Sequence, residues 1–173
     1  MRIQTSILIC GALFCLPLFA KSDAPTKPAN DQEFLQTAAE SDMLHAHLGQ
    51  TAEKNSKRRG IRDLGQEISQ NDQSDYRTLS ALAGKIGATI PKGIDDQGDR
   101  TIQRISKLRG NSFDHAFIQE VIQSDKKELA DFEHEAQHAQ NPDVKAYAND
   151  ALSALKLHLY EAQDWVKYGD DRK

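Results

Sequence analysis

Apolar residues recur along most of the chain at steps of three and four, which is the spacing of one face of an α-helix. Four such stripes can be followed, and no alternating run of apolar and polar residues is long enough to predict a strand. Each stripe corresponds to a helix of roughly 25 residues, or about 37 Å at 1.5 Å per residue. The pattern therefore predicts an all-α fold in which four long amphipathic helices enclose one core.

Capping residues set the expected limits of these helices. The predicted N-caps, in chain order, are Asn30, Ser56, Asn111 or Ser112, and Asn141, which is followed by Pro142. We expect the second helix to stop near Gly87, since glycine favours helix ends. The spacing of Ile102, Ile105 and Leu108 predicts a short additional helix that ends at Gly110.

The connections between the helices differ in length. Tight turns separate the first helix from the second and the third from the fourth, so each pair is predicted to be an antiparallel hairpin. Residues 87–111 are long enough to cross the whole bundle, although length alone does not require it. A single long crossover is typical of ferritin-like bundles. We therefore expect a ferritin-like four-helix bundle over residues 31–168, with a short extra helix in its long connection.

The N-terminal segment has a different character. Arg2 precedes an apolar run over residues 3–19, which is short and weakly flanked for a membrane-spanning helix. The run ends at Ala20, a plausible cleavage point, so residues 1–20 are predicted to be a signal peptide, with an uncleaved anchor as the alternative. Residues 21–30 predict a flexible tether. The mature protein is then expected to be periplasmic or secreted, and not an integral membrane protein.

Composition narrows the classes of function. The 173 residues are 38% hydrophobic and 28% charged with a net charge of −4, which suits one core and lacks the basic excess of nucleic-acid-binding proteins. Both cysteines, Cys10 and Cys15, lie in the predicted signal peptide, which leaves the mature chain without disulfides or thiolate chemistry. Phosphate-binding glycine loops and nucleophile elbows are missing as well. We assign no catalytic residue, and a binding role is favoured over an enzymatic one.

One ionisable residue interrupts each apolar stripe near the middle of its helix. These residues are His45, Asp72, Asp125 and His158. Counted from the hairpin turns they lie at matching heights, so all four can share one layer of the bundle interior. Two imidazoles and two carboxylates form a ligand set that a divalent zinc or iron ion accepts. One turn further on, Asp75 and Glu128 are predicted to support this metal or to bind a second one.

A buried carboxylate without a partner costs several kcal/mol, so the layer needs either a metal or a network of hydrogen bonds. One hypothesis is a metal-binding bundle with a role in the cell envelope or in stress protection. The other is a non-enzymatic structural or interaction protein, whose polar layer only sets the register of the helices. The residues alone leave both hypotheses open.

Two further patterns are expected to be ordinary solvated surface. Glu135 and His138 have the Glu-x-x-His spacing of di-iron bundles, but in one copy only and near a helix end, and His47, His115 and His134 also lie off the stripes. A basic cluster at the first hairpin turn comprises Lys54, Lys57, Arg58, Arg59 and Arg62. Peripheral contact with anionic lipid or glycan phosphate of the envelope is its alternative role. The sequence predicts neither a nucleic-acid partner nor any particular protein partner.

Short runs spread along all four helices are collinear with one protein family. They are Phe34-Leu35-Gln36-Thr37-Ala38-Ala39, Leu48-Gly49-Gln50-Thr51-Ala52, residues 79–85, Ile90-Pro91, Phe113-Asp114, Phe132-Glu133, Glu135-Ala136 and His158-Leu159. Over residues 31–165 the chain thus resembles a large family of exported bacterial proteins, described as a ferritin-like domain of unknown function and often labelled as outer-membrane proteins. The resemblance implies a ferritin-like four-helix bundle and no established activity.

The polar residues depart from the pattern of this family. Its members carry a Glu in the first helix, an Asp-His pair in each of the next two, and a His in the fourth, which here is His158. The Glu position falls on His45, and the two pairs fall on Asn71-Asp72 and Ser124-Asp125. Histidines are replaced by aspartates and a glutamate by a histidine, so the set can still bind a metal or form a network.

Overall fold

The computed structural model describes residues 30–169, and the predicted signal peptide and nearly all of the tether lie outside this part. The described residues form five α-helices and no strand. The helices are α1 (Asp31–Asn55), α2 (Arg59–Ile86), α3 (Asp96–Ser106), α4 (Gly110–His138) and α5 (Pro142–Tyr168). The all-α class and the short extra helix in the long connection are confirmed. Within residues 30–169, no helix has both the length and the apolarity needed to cross a bilayer.

The helix ends follow the capping pattern except at the starts of α2 and α4. The side chain of Asn30 accepts a hydrogen bond from the backbone N–H of Glu33, and Asn141 caps α5 in the same way. Gly87 ends α2 with a φ of 72°, a left-handed conformation that favours glycine. The prediction for Ser56 is wrong: this residue ends α1, and α2 begins three residues later without a side-chain cap. The prediction of Asn111 or Ser112 as a cap is also wrong, because α4 begins at Gly110 and the residue before it makes no side-chain cap.

The short helix α3 begins earlier than the sequence predicts. Asp95 caps it by accepting a hydrogen bond from the N–H of Gly98 at 2.7 Å, inside the segment expected to be loop. Gly98 is buried, and a Cβ there would collide with Ile94, so the glycine serves close packing although it weakens the helix signal. Gly110, the expected end of this helix, is instead the first residue of α4, with a φ of 57°.

The buried apolar residues form two clusters at opposite ends of the bundle. The first cluster includes Ala52 of α1, Ile61 of α2, Phe113 of α4 and Ala162 of α5. The second includes Phe34 of α1, Ala83 of α2, Phe132 of α4 and Val144 of α5. α1 therefore runs antiparallel to α2 and to α4, and α4 runs antiparallel to α5.

The connection between α2 and α4 crosses the length of the bundle. Ile90, just after α2, packs against the second cluster, whereas Ile105 near the end of α3 is buried in the first. The long connection thus returns the chain to the end where α2 began. A single long crossover of this kind also occurs in ferritin-like bundles.

Glycine brings α1 and α2 into close contact beside the middle of the bundle. A Cβ on Gly49 would collide with the carbonyl oxygen of Gly65, and a Cβ on Gly65 would lie 2.6 Å from that of Ala52. The two backbones can approach only because neither position carries a side chain. Since His45 lies about one turn before Gly49 and Asp72 about two turns after Gly65, the close crossing also holds these two residues near each other.

Candidate metal centre in the bundle interior

A layer of ionisable side chains separates the two apolar clusters. We call it the polar layer, and its members are Asp42 and His45 of α1, Asp72 and Asp75 of α2, Asp125 and Glu128 of α4, and His158 of α5. All are buried except Asp75 and His158, which are half-buried. The structure therefore places all six residues singled out from the sequence at this level and adds Asp42 to them.

The Nδ1 atom of the His45 imidazole lies near two carboxyl groups. Its Nδ1 is 3.9 Å from Oδ1 of Asp125 and 4.0 Å from Oδ2 of Asp72. Both distances are too long for hydrogen bonds, yet they are within the roughly 4.2 Å that two metal–ligand bonds of about 2.1 Å can span. One potential ligand atom from each of His45, Asp125 and Glu128 lies within 4.8 Å of the other two. This group of three can hold a metal ion.

Several buried polar atoms of the layer lack hydrogen-bond partners among the described residues. They are Oδ2 of Asp42, Nε2 of His45, Oδ2 of Asp72 and Oδ2 of Asp125. Glu128 differs, because its Oε2 accepts a hydrogen bond of 3.0 Å from the hydroxyl of Ser41. Each buried polar group without a partner costs about 1–3 kcal/mol. The layer is thus poorly satisfied by its own side chains.

Burial keeps the carboxyl groups of the layer protonated to unusually high pH. It raises the pKa of Asp125 to about 7, and together with the charge of Asp125 it raises the pKa of Glu128 to about 8. Burial and then the charge of Glu128 also raise the pKa of Asp42 and of Asp72 well above the ordinary value. Repulsion between the carboxylates disfavours their charged forms. A divalent cation among them would attract each carboxylate and so favour the charged forms.

Burial has the opposite effect on the imidazole. It lowers the pKa of His45 to about 4, and the charge of His158 acts in the same direction. His45 is therefore neutral at neutral pH, which is the form in which histidine binds metals.

His158 lies at the α5 edge of the layer. The amide of Asn71 donates a hydrogen bond of 3.1 Å to its Nε2, so that nitrogen is already engaged. The nearby charge of His158 lowers the pKa of Asp75, although burial raises it more. His158 is not part of the group formed by His45, Asp125 and Glu128, and its role as a ligand stays a prediction.

The sequence interpretation missed Asp42, which is only 3% exposed. The stripe of α1 steps from Phe34 through Ala38 and Ser41 to His45, so the periodicity leaves Asp42 off the expected buried face. A regular signal was nevertheless available, because three helices carry potential ligands at i and i+3. These pairs are Asp42 with His45, Asp72 with Asp75, and Asp125 with Glu128. Residues three apart lie on one helix face, so the repetition indicates a shared layer.

Comparison with known proteins identifies the family. A family model described as a domain of unknown function, DUF4142, matches residues 17–165. The chain belongs to this family. The expected resemblance to a helical family without an assigned activity is confirmed to that extent, and export stays a prediction. None of the curated proteins matches the chain.

Among solved structures, this DUF4142 chain is similar to a DUF305 fragment from Deinococcus radiodurans. The TM-score is 0.69 at 16% sequence identity, and the alignment covers 81% of this chain and 97% of the fragment. The TM-score supports the helical bundle fold. At so low a sequence identity, the similarity gives no information about function.

A groove connects the polar layer of this DUF4142 domain with the surface. It lies between α1, α3 and α4 and has a volume of about 370 Å³, and Ser41 and Glu128 are among the residues that line it. Glu40, Asp95 and Lys127 are among the charged residues that line it. An ion can therefore approach Glu128 from solvent.

The other polar residues of the DUF4142 domain have mixed outcomes. Glu135 is only 2% exposed, so the expectation of a solvated face is wrong for it, because α4 turns this residue inward. His138, His47 and His115 are exposed as expected, whereas the side chain of His134 is 23% exposed.

Much of the basic cluster at the first hairpin turn makes contacts within the chain. Arg59 pairs with Asp63 at 3.4 Å, Arg62 donates to the carbonyl of Lys57 at 2.8 Å, and Arg58 lies beside a buried carboxylate of α4. Contact with an envelope component stays a prediction.

Proposed function

We propose that the protein is an exported binding protein that holds a divalent transition metal ion, zinc or iron, in the polar layer. His45, Asp125 and Glu128 supply three ligands, and Asp72 is the nearest further carboxylate to His45. One observation carries the proposal: a neutral buried imidazole stands 3.9 and 4.0 Å from two carboxyl groups that make no hydrogen bond with it. These separations suit a shared ion better than a direct contact.

The second candidate is a structural bundle whose polar layer only sets helix register. The Ser41–Glu128 and Asn71–His158 hydrogen bonds favour it, because both satisfy parts of the layer without an ion. A network with that role should, however, satisfy its buried members. Asp42, Asp72 and Asp125 each have an oxygen without a partner among residues 30–169, which favours the metal hypothesis.

Metal binding would exchange protons for an ion. Since burial holds protons on Asp125 and Glu128 near neutral pH, an incoming cation displaces these protons and pairs with the carboxylates. The groove that Glu128 helps to line provides the route. Sequestering a reactive metal in this way would be consistent with a role in envelope or stress protection, which rests on the predicted signal peptide.

The test is the metal content of untagged protein purified from the periplasm without chelators and measured by plasma mass spectrometry. We expect close to one zinc or iron ion per chain. The Asp125→Asn variant keeps the size of the side chain but removes the carboxylate, and it should lose the ion while the far-UV circular dichroism remains helical. Asp150 is exposed on α5, so Asp150→Asn is the matched control and should retain the metal.

Two outcomes decide between the candidate functions. Wild-type protein that stays metal-free after incubation with zinc and with iron would refute the metal proposal and leave the register role. Metal that is retained in Asp125→Asn would place the site elsewhere. A His158→Ala variant then tests the fourth helix, because loss of the ion there would add His158 to the ligands.

A further inference from the structure

The C-terminal turn of α4 carries two histidines that lie outside the polar layer. His134 and His138 are one helical turn apart, and their rings stack with centroids 4.4 Å apart and planes inclined by 21°. His138 is exposed, and the side chain of His134 is 23% exposed. Solvent therefore reaches a pair of imidazoles that the helix holds side by side.

Hydrogen bonds at Nδ1 orient both rings. Nδ1 of His134 lies 3.3 Å from Oε1 of Glu135, and Nδ1 of His138 lies 2.9 Å from the backbone carbonyl of His134. A backbone carbonyl and a carboxylate both accept, so the tautomer with its proton on Nδ1 makes these bonds and leaves a lone pair on Nε2. Neither Nε2 has a hydrogen-bond partner among residues 30–169.

This arrangement matches the outer support of metal-binding histidines. A ligating imidazole usually donates its second N–H to a carboxylate or a backbone carbonyl, which orients the ring and raises its basicity. Glu135, whose side chain is only 3% exposed, provides the carboxylate for His134, and the helix backbone provides the carbonyl for His138. The end of a helix also carries partial negative charge, which favours a cation beside its last residue, His138.

We propose that His134 and His138 form a second metal site, which binds one divalent ion of the class that imidazole prefers, with copper(II) bound most tightly. Each histidine contributes Nε2, and water completes the coordination. Two histidines at i and i+4 on one helix face bind a single zinc ion in HExxH metalloproteases, so this spacing lets both Nε2 atoms reach one ion. Copper(II) leads because it lies at the top of the affinity order for divalent first-row metals with nitrogen ligands. This site does not depend on the function proposed for the polar layer.

Capping of α4 explains only part of the geometry. The bond from His138 to the carbonyl of His134 satisfies a backbone acceptor in the last helical turn. A glutamine at position 138 can still donate to that carbonyl but has no imidazole. His138→Gln therefore separates the cap from the metal ligand, and His134→Gln removes the other ligand.

The test is a titration of the untagged full chain with copper(II), with glycine as a competing chelator, followed by calorimetry and electron paramagnetic resonance. We expect the spectrum of wild-type protein to show two coordinating nitrogens, whereas the polar layer group contributes a single imidazole. Loss of either histidine should weaken this binding on the order of 100-fold, because a chelate becomes a single contact. His115 is exposed and distant along α4, so His115→Gln is the matched control and should bind as wild type.

Three results would overturn the proposal. The first is wild-type affinity and an unchanged spectrum in both His138→Gln and His134→Gln. The second is an equal loss in His115→Gln, which would indicate weak binding to separate surface histidines. The third is a spectrum with one coordinating nitrogen in wild-type protein.

Discussion

Raising the pH from 5 to 7 is expected to destabilise the metal-free protein, because the folded state keeps protons that the unfolded chain releases. Burial raises the pKa of Asp125 from 3.8 to about 7 and that of Glu128 from 4.5 to about 8. A carboxyl group whose folded pKa is raised contributes stability below its unfolded pKa. That stability is lost as the pH rises through the folded pKa. The window for these two groups is therefore about pH 4 to 8.

The size of the effect follows from proton linkage. Between the unfolded and folded pKa values of a carboxyl group, the free energy of unfolding falls by about 1.4 kcal/mol per pH unit. Asp125 and Glu128 together therefore lower it by about 5 kcal/mol from pH 5 to 7. His45 acts in the opposite direction, because its pKa is lowered from 6.5 to about 4. His45 therefore raises the free energy of unfolding by about 2 kcal/mol over the same interval. The net loss is about 3 kcal/mol, and the raised pKa values of Asp42 and Asp72 add to the loss.

The assay is thermal and urea unfolding of metal-stripped protein, followed by circular dichroism at pH 5, 6 and 7. A loss of about 3 kcal/mol lowers the melting temperature of a domain of this size by about 10 °C. With saturating zinc the melting temperature should rise from pH 5 to 7 instead of falling. Metal ligands must be deprotonated, so binding strengthens as the pH rises. In metal-free Asp125→Asn the fall should shrink by about 2 kcal/mol, since one titrating group is gone.

A melting temperature of the metal-free protein that is flat or rises between pH 5 and 7 would refute this reasoning. The carboxyl groups would then not hold protons in the folded state. If zinc leaves the pH dependence unchanged in sign, the layer does not bind it.

Three further predictions concern the packing and caps that position the layer, all measured by urea unfolding of metal-free protein. Gly65→Ala should cost about 1–3 kcal/mol because its Cβ would overlap Ala52, whereas Gly84→Ala, in open space on the same helix, should gain about 0.5–1 kcal/mol; equal effects would contradict the close crossing. Phe34→Ala removes a ring that meets Phe132 edge to face at 4.8 Å and should cost about 3–5 kcal/mol; a loss below 1 kcal/mol would contradict its place in the core. Asn141→Ala removes the cap of α5 and should cost about 1 kcal/mol, and an unchanged midpoint would count against that cap.

Periodicity predicted the four long helices well, because a stripe repeated over 25 or more residues has few alternative interpretations. The short helix α3 begins earlier than its apolar spacing predicts, because Gly98 lowers helix propensity. The missing side chain of Gly98 allows close packing that the local sequence does not reveal. Ser56 shows the same limit, since a serine between two helices can end the first or begin the second.

The candidate site was predictable in position but not in detail. His45, Asp72 and Asp125 stand on otherwise apolar faces, so their shared layer followed from helix geometry. The closest contacts within the layer depend on helix crossing distances and side-chain rotamers. The periodicity of the sequence does not predict either of these. For this reason Glu128, expected to have a supporting role, lies within the tightest group, whereas His158 bonds to Asn71 at the edge.

The number of carboxyl groups in the layer distinguishes the two candidate functions. Replacing a buried ion pair with well-packed apolar residues is often neutral or stabilises a protein by about 1–4 kcal/mol, so stability alone gives no reason to separate the two apolar clusters. One satisfied polar pair is enough to set helix register. This layer instead gathers five carboxyl groups around a neutral imidazole, and at least three of them leave an oxygen without a partner among the described residues. Mutual repulsion makes such a set costly by itself, whereas one or two divalent cations would neutralise most of its charge.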